Sequence, residues 1–240
     1  MAVGGSGSGG GDSTYTAAYA SRPAAGNDGD LFFPSDGFSI QRDTGAAWVP
    51  WGPLFPFTAP VLTDFAWINQ ETATATQTKS GIYLLAPVQS GDDMRILKKA
   101  APSTPYTITV WFLMHLHNVD YNLAGLCFRK SSDGKLATFD FSNSGTSNSS
   151  RLETVKFNSP TSINAVYASV NVRPGSLVCL QISDNGTNRI ARWSTDGQNF
   201  HTLHTVERTD FLTADEVGFY ANSVNATYPA AMTLLSWKES

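Results

Sequence analysis

The sequence predicts an all-β protein: an antiparallel β-sandwich or jelly roll, preceded by a small β-meander and a flexible Gly/Ser-rich N-terminal arm. Three observations predict it. Short apolar runs recur throughout residues 61–240, separated by Gly, Asn, Asp, Ser or Pro. Many of them alternate with period two, the mark of a strand with one face buried, and no long helical periodicity is found. Charged residues are only 15% of the chain, which suits a β-rich protein of extracellular or virion type better than a helical cytosolic enzyme.

The elements follow in order. Residues 1–14 begin MAVGGSGSGGGD. Such a Gly-rich arm has little to bury and much entropy to lose, so it is expected to stay flexible. It has no apolar core of a signal peptide, so the expected route out of a cell is release inside a particle. Residues 15–60 form a second part. Within Asp28–Trp51, the runs Leu31–Phe33, Phe38–Ile40 and Ala47–Val49 are separated by Pro34-Ser35-Asp36-Gly37 and by Asp43-Thr44-Gly45. Asp-Gly between apolar runs signals a hairpin, because Gly accepts positive φ and Asp caps its own turn. So few strands cannot cover their own aromatics, so Phe32, Phe33, Phe38, Trp48, Trp51, Phe55 and Phe57 are expected to pack on sibling copies or on a particle surface rather than on the chain's own second domain. Pro50, Pro53, Pro56 and Pro60 favour an extended, stiff connector over 50–60.

Residues 61–240 read as one self-sufficient domain. Its strand-like runs are Ile82–Leu85, Tyr106–Leu116, Leu123–Phe128, Leu136–Phe141, Leu152–Phe157, Val166–Val172, Leu177–Ile182, Ile190–Trp193, Phe200–Val206, Val217–Tyr220 and Met232–Trp237. Glu71–Thr78 reads as a loop or edge strand, and Thr209–Asp215 as a short helix or turn. Cys127 and Cys179 each sit in an apolar run, either as buried free thiols or as a cross-sheet disulfide.

Two stretches resemble known families. Ile190–Phe200, with its aromatic followed by Ser-x-Asp-Gly-x-x-aromatic, resembles a hairpin of the concanavalin A-like jelly-roll superfamily. Gly125–Phe139 with its Asp133-Gly134 turn, Val217–Tyr220 and Met232–Trp237 are similar to further strands of that superfamily, and together they cover about residues 62–238. The meander over about 19–52 is similar to short modules of bacteriophage fibre and tail proteins. That second resemblance implies a homotrimer, located on the virion, whose N-terminal region binds other virion proteins.

Candidate chemistry is sparse. His115-Leu116-His117 puts two imidazoles on one side of a strand, with Asp120 near, yet lacks the further ligands of a metal site; no cofactor or metal is expected. Asp133 and Asp196 are explained by Asp-Gly turns, and Asp184 and Asp215 also fall in turns. Glu153, Glu207 and Glu216 form no constellation of the kind a glycosidase draws from one strand. No nucleophile elbow or phosphate loop is found, so a binding protein rather than an enzyme is expected. Trp111, Trp193, Tyr121, Tyr220 and Asn222 are the residue types of sugar sites, and either Trp can equally be core. The candidate ligand set is His115, His117, Tyr121, Trp193, Tyr220 and Asn222. A net charge of −4 without a basic block argues against nucleic acid, and no run is long enough to span a membrane. The resulting expectation is a virion fibre, head-fibre or decoration subunit displaying a lectin-like jelly roll to a cell-surface glycan. A purely architectural cementing role and a polysaccharide depolymerase are the alternatives.

Overall fold

The structure, a computed structural model, describes residues 13–37, 39–53, 57–117, 119, 121–144, 149–172, 175–224 and 227–240. It divides into two compact units, Met1–Pro56 and Phe57–Ser240.

The first unit is a four-stranded sheet in the order β1 (Thr14–Ala17), β2 (Leu31–Pro34), β3 (Ser39–Asp43) and β4 (Trp48–Pro53). β2, β3 and β4 are the expected antiparallel meander. The turn after β3 needs Gly45, whose φ is +80°. Asp43 accepts the backbone N–H groups of Gly26, Asn27 and Gly45. Its burial pushes the carboxyl up, but these donors outweigh it and hold the carboxyl below its ordinary value. β1 is an addition, running parallel to β2. Asp30 fixes it by accepting Ser13 N at 2.7 Å and Tyr15 Oη at 3.1 Å.

This addition corrects the expectation that the aromatics lack local cover. Phe32 is fully buried, with Tyr19 and Trp48 edge-on to its ring. Trp48 is half-buried, meets Tyr15 edge-on and donates its indole N–H to Pro23 O. Phe33 is half-buried. Trp51 stays 61% exposed. Phe57 belongs to the second unit, where its ring lies against Trp111. Phe38 and Phe55 lie outside the described residues. Residues 48–53 are strand rather than connector: β4 is an edge strand, where the missing N–H of Pro50 breaks no ladder.

The second unit runs β5 (Ala66–Ile68), β6 (Thr74–Thr78), β7 (Gly81–Ala86), β8 (Arg95–Ala100), β9 (Tyr106–His115), β10 (Asn122–Arg129), β11 (Leu136–Ser144), β12 (Ser149–Ser159), β13 (Ser162–Val172), β14 (Leu177–Asp184), β15 (Asn188–Ser194), β16 (His201–Glu207), β17 (Glu216–Ser223) and β18 (Ala230–Glu239). They form two antiparallel seven-stranded sheets. The first is ordered β13-β12-β11-β10-β17-β8-β5 and the second β16-β15-β14-β9-β18-β7-β6. The eleven anticipated runs are β7 and β9 to β18. β6 is an edge strand, and 209–215 is a turn without helix.

Alternate residues of both sheets meet in one core, including Ile108, Val110, Phe112, Leu126, Phe128, Phe139, Phe219 and Leu234. Trp111 points to the opposite face of β9, yet is buried because the turn after β15 lies over it. A Cβ on Gly197 would fall 2.6 Å from Trp111 Cζ2. Cys127 and Cys179 are free and buried. Each lies on the outer face of a different sheet, which leaves the disulfide reading without support. Burial pushes both thiols up to about 12.

Candidate functional site

The outer face of the first sheet is not an ordinary solvated surface. Its floor combines apolar residues with buried polar ones. Met94, Ile96, Cys127, Leu136, Val155, Phe157 and Tyr220 form a second apolar cluster there. Met94 N donates to Pro160 O, tying the β12–β13 turn to the start of β8. Beside the cluster, Asp140, Ser142, Asn222, Thr138 and Glu153 are all buried.

The register explains why they meet. Gly125 sits between Asp140 on β11 and Tyr220 on β17. With no Cβ in the way, Tyr220 Oη donates to Asp140 Oδ2 at 2.6 Å, and Thr138 Oγ1 donates to the same oxygen at 3.1 Å. An added Cβ on Gly125 would stand 2.3 Å from Phe139 O. Asp140 Oδ1 and Ser142 Oγ are buried and have no partner. Burial pushes the Asp140 carboxyl up to about 7; the Tyr220 bond opposes this, and the charge of Glu153, directly opposite on β12, adds to it. Glu153 accepts Ser169 Oγ at 2.8 Å and pairs with Arg151 at 3.5 Å.

The rim is built by loops. Tyr121 has φ +62°, is 52% exposed, and has the Arg151 guanidinium 5.8 Å from its ring. Its backbone is held by bonds to Asn143 O and from Val224 N. On the far side, Asn222 donates to Asp92 Oδ1 at 3.0 Å and accepts Asp93 N at 3.1 Å. Burial raises the Asp92 carboxyl above its ordinary value despite the Asn222 bond. The loop carrying these residues is anchored by buried Arg95, which pairs with Asp93 at 2.5 Å and Glu71 at 2.7 Å.

Of the six ligand candidates from sequence, Tyr121, Tyr220 and Asn222 share this face, with Tyr220 as floor rather than as a stacking ring. Trp193 does not join them; it packs inward against the core and His201. His115 ends β9, so His117 lies beyond the strand and the pair shares no face. His115 Nε2 bonds Thr233 Oγ1 at 3.0 Å, and His117 stacks on Tyr228 at 4.7 Å. Asp120 lies outside the described residues. Among the described residues no cluster of three His, Cys, Asp or Glu can hold a metal ion, and no helix is long and apolar enough to cross a membrane.

No protein-family model and no curated protein matches the chain. Solved structures do. One is a functionally unknown protein from Saccharomyces cerevisiae, 14% identical over 75% of this chain and 97% of that one, with a TM-score of 0.58. Another is the GH43 BlXynB protein from Bacillus licheniformis, 13% identical over 87% of this chain with a TM-score of 0.60; the match covers only 45% of BlXynB. A third is a legume lectin-like domain from Entamoeba histolytica, 9% identical over 74% of this chain and 90% of that one, TM-score 0.52. The second unit has the lectin-like, concanavalin A-like jelly-roll fold.

Sequence reasoning missed Asp140, Arg151 and Asp92, and set Glu153 aside. The carboxyls of Asp140 and Glu153 come from different strands, so no single-strand motif contains them. The available signal was that both alternate in parity with core residues.

Proposed function

We propose that this chain is a glycan-attachment protein. Its jelly roll binds a surface saccharide on the outer face of the first sheet, and its N-terminal sheet joins it to sibling copies on a virion. One observation carries the binding: an exposed aromatic, Tyr121, stands beside a floor whose buried Asp140 Oδ1 and Ser142 Oγ lack partners. Sugar sites combine an apolar ring face with a few convergent polar groups in this way. The lectin-like fold supports the same reading. The virion location and the trimer rest on the resemblance of the N-terminal meander to phage fibre modules and on the exposure of Trp51.

A glycan array with the intact chain tests the proposal. Binding weakened about tenfold or more in Tyr121→Ala, about 1.4 kcal/mol, is the expected result. An array without hits, together with tight binding to bare capsids, sinks it in favour of an architectural role. A second reading, cleavage of a polysaccharide, is favoured by the facing carboxyls of Asp140 and Glu153, one of which titrates near neutrality. Release of reducing ends from host capsule or lipopolysaccharide, abolished by Glu153→Gln, would establish it over simple binding.

A further inference from the structure

The outer face of the first sheet continues past Tyr121 onto one end of the sandwich. β9 ends there at His115, β10 begins at Asn122, β17 ends at Ser223 and β18 begins at Ala230. Asn122 faces Ser223 across the β10–β17 ladder, so the loop before β10 and the loop after β17 lie side by side. Polar side chains brace both loops. Asn122, fully buried, donates from Nδ2 to Tyr228 O at 3.4 Å and to Pro229 O at 3.3 Å. Ser223 is buried and donates its Oγ to Tyr228 O at 2.5 Å. Asn143 on β11 donates from Nδ2 to His117 O at 2.9 Å.

These braces hold two exposed tyrosines on neighbouring loops. Tyr228 is 42% exposed, and His117, itself exposed, stacks on its ring at 4.7 Å and 29°. Tyr121 O accepts Val224 N from the same loop, and Asn122, next to Tyr121 in the chain, is the residue that reaches Tyr228. The φ of +62° at Tyr121 is a left-handed conformation that a bulky residue rarely adopts. Such strain persists only where the surroundings over-determine it, and it clusters at ligand sites. A ligand on this end of the face meets two ring surfaces rather than one.

The charge balance narrows the ligand further. Arg151 pairs with Glu153, Arg95 with Asp93 and Glu71, and Lys98 and Arg129 both with Glu216. Among the described residues, Asp92 and Asp140 have hydrogen bonds but no ion pair. The face therefore carries carboxyl groups in excess and no spare cation, and a carboxylate on the ligand would meet that excess without a countercharge. A hydroxyl both donates and accepts, and both needs are present. Asp140 Oδ1 and Asn122 Oδ1 are unmet acceptors, Arg151 Nε is an unmet donor, and Ser142 Oγ can serve as either.

We propose that the ligand of this face is a neutral oligosaccharide of at least two rings, one lying on Tyr121 and the next on the Tyr228–His117 stack. The inference rests on the glycan reading of the outer face and adds the length and the charge of the ligand. An array of surface glycans tests it with the intact chain, printed as chain-length series from single rings upward, both neutral and bearing uronic or sialic acid. Hits are expected in the neutral series, with binding rising about tenfold or more from one ring to two or three. Tyr228→Ala removes the second ring surface but keeps the backbone carbonyl that Asn122 and Ser223 bond. It should abolish that rise and leave single-ring binding within about twofold. His117→Ala should reduce the rise severalfold, and it keeps the test decisive should Tyr228→Ala fail to fold. Asp92→Asn should raise the binding of acidic fragments severalfold; unchanged exclusion in that variant overturns the charge part. Hits confined to acidic glycans, single rings bound as tightly as longer fragments, or a length dependence that survives both ring substitutions overturn this inference and leave the glycan reading standing. An array without hits of any kind overturns both.

Discussion

Replacing Asp140 with asparagine offers a direct measurement of how the floor of the outer face is built. Asp140 is fully buried and its carboxyl is pushed from an ordinary 3.8 up to about 7. A group that holds its proton more tightly in the folded than in the unfolded chain favours folding most when it is protonated. Its contribution is whole below about pH 4 and is lost as pH rises toward about 7, after which the loss is constant. A difference of about three pH units is worth about 4 kcal/mol over that window. The amide of the variant would keep an acceptor for Tyr220 and cannot ionise, so it escapes this loss. The wild type and Asp140→Asn should therefore be of similar stability near about pH 4.5, and the variant should gain steadily, by a few kcal/mol, up to about pH 7.5. Urea unfolding followed by tryptophan fluorescence at several pH values reads this directly, because every other carboxyl is common to both proteins. Two parallel stability–pH curves would refute the reasoning, since they would mean that Asp140 titrates in the fold as it does in the unfolded chain.

Three further outcomes follow from the same geometry. Gly125→Ala places a methyl 2.3 Å from Phe139 O and 2.5 Å from Asp140 Cα; it should cost at least about 3 kcal/mol in the same unfolding assay, at the upper end for overpacking. Gly197→Ala pairs a positive φ of +73° with a clash against Trp111; a loss of about 1–3 kcal/mol and a red-shifted Trp emission are expected. Trp51→Glu, on the exposed edge strand of the N-terminal unit, should convert the proposed trimer to monomers by light scattering while leaving the proposed glycan binding per chain intact. A wild-type chain that is already monomeric would remove the assembly reading.

Where period-two patterning was pronounced, the fold was legible. Thr107–Met114 alternates cleanly, and Ile108, Val110 and Phe112 do line the core. β8 escaped notice because Arg95, Lys98 and Lys99 break its apolar pattern; each finds an acidic partner only after folding, Lys98 with Glu216 and Lys99 with Glu239. β1 escaped because its pairing with β2 is parallel and joins residues seventeen apart, such as Thr14 and Leu31. The site was legible by residue type in Tyr121 and Asn222, which lie where polar loops meet strand ends. Trp193 misled because an amphipathic aromatic looks alike facing a sugar or a core. Asp140 and Glu153 were illegible because only the register of β11 on β12 sets them opposite each other.

That register also gives one strand polar residues on both of its faces. β12 alternates Arg151, Glu153, Val155 and Phe157 toward the outer face with Leu152, Thr154 and Lys156 toward the partner sheet. A strand buried on both faces is ordinarily apolar throughout, but β12 carries charge or hydroxyl on each. Arg151 and Glu153 form the wall beside Tyr121, while Thr154 lines a small space between the sheets with Arg189, and Lys156 lies over the Tyr167 ring. The bulge at Tyr167 falls at the Thr154/Val155 step, where the strand passes from one polar pair to the apolar Val155 and Phe157. Because neighbouring residues of β12 point to opposite faces, substitutions at 151 and 153 act on the outer face and those at 154 and 156 on the side facing the partner sheet. The packing of the sandwich does not by itself require this polar content, since β10 and β17 pack with fewer charges; the Arg151–Glu153 pair instead lies on the outer face, where the proposed saccharide would bind.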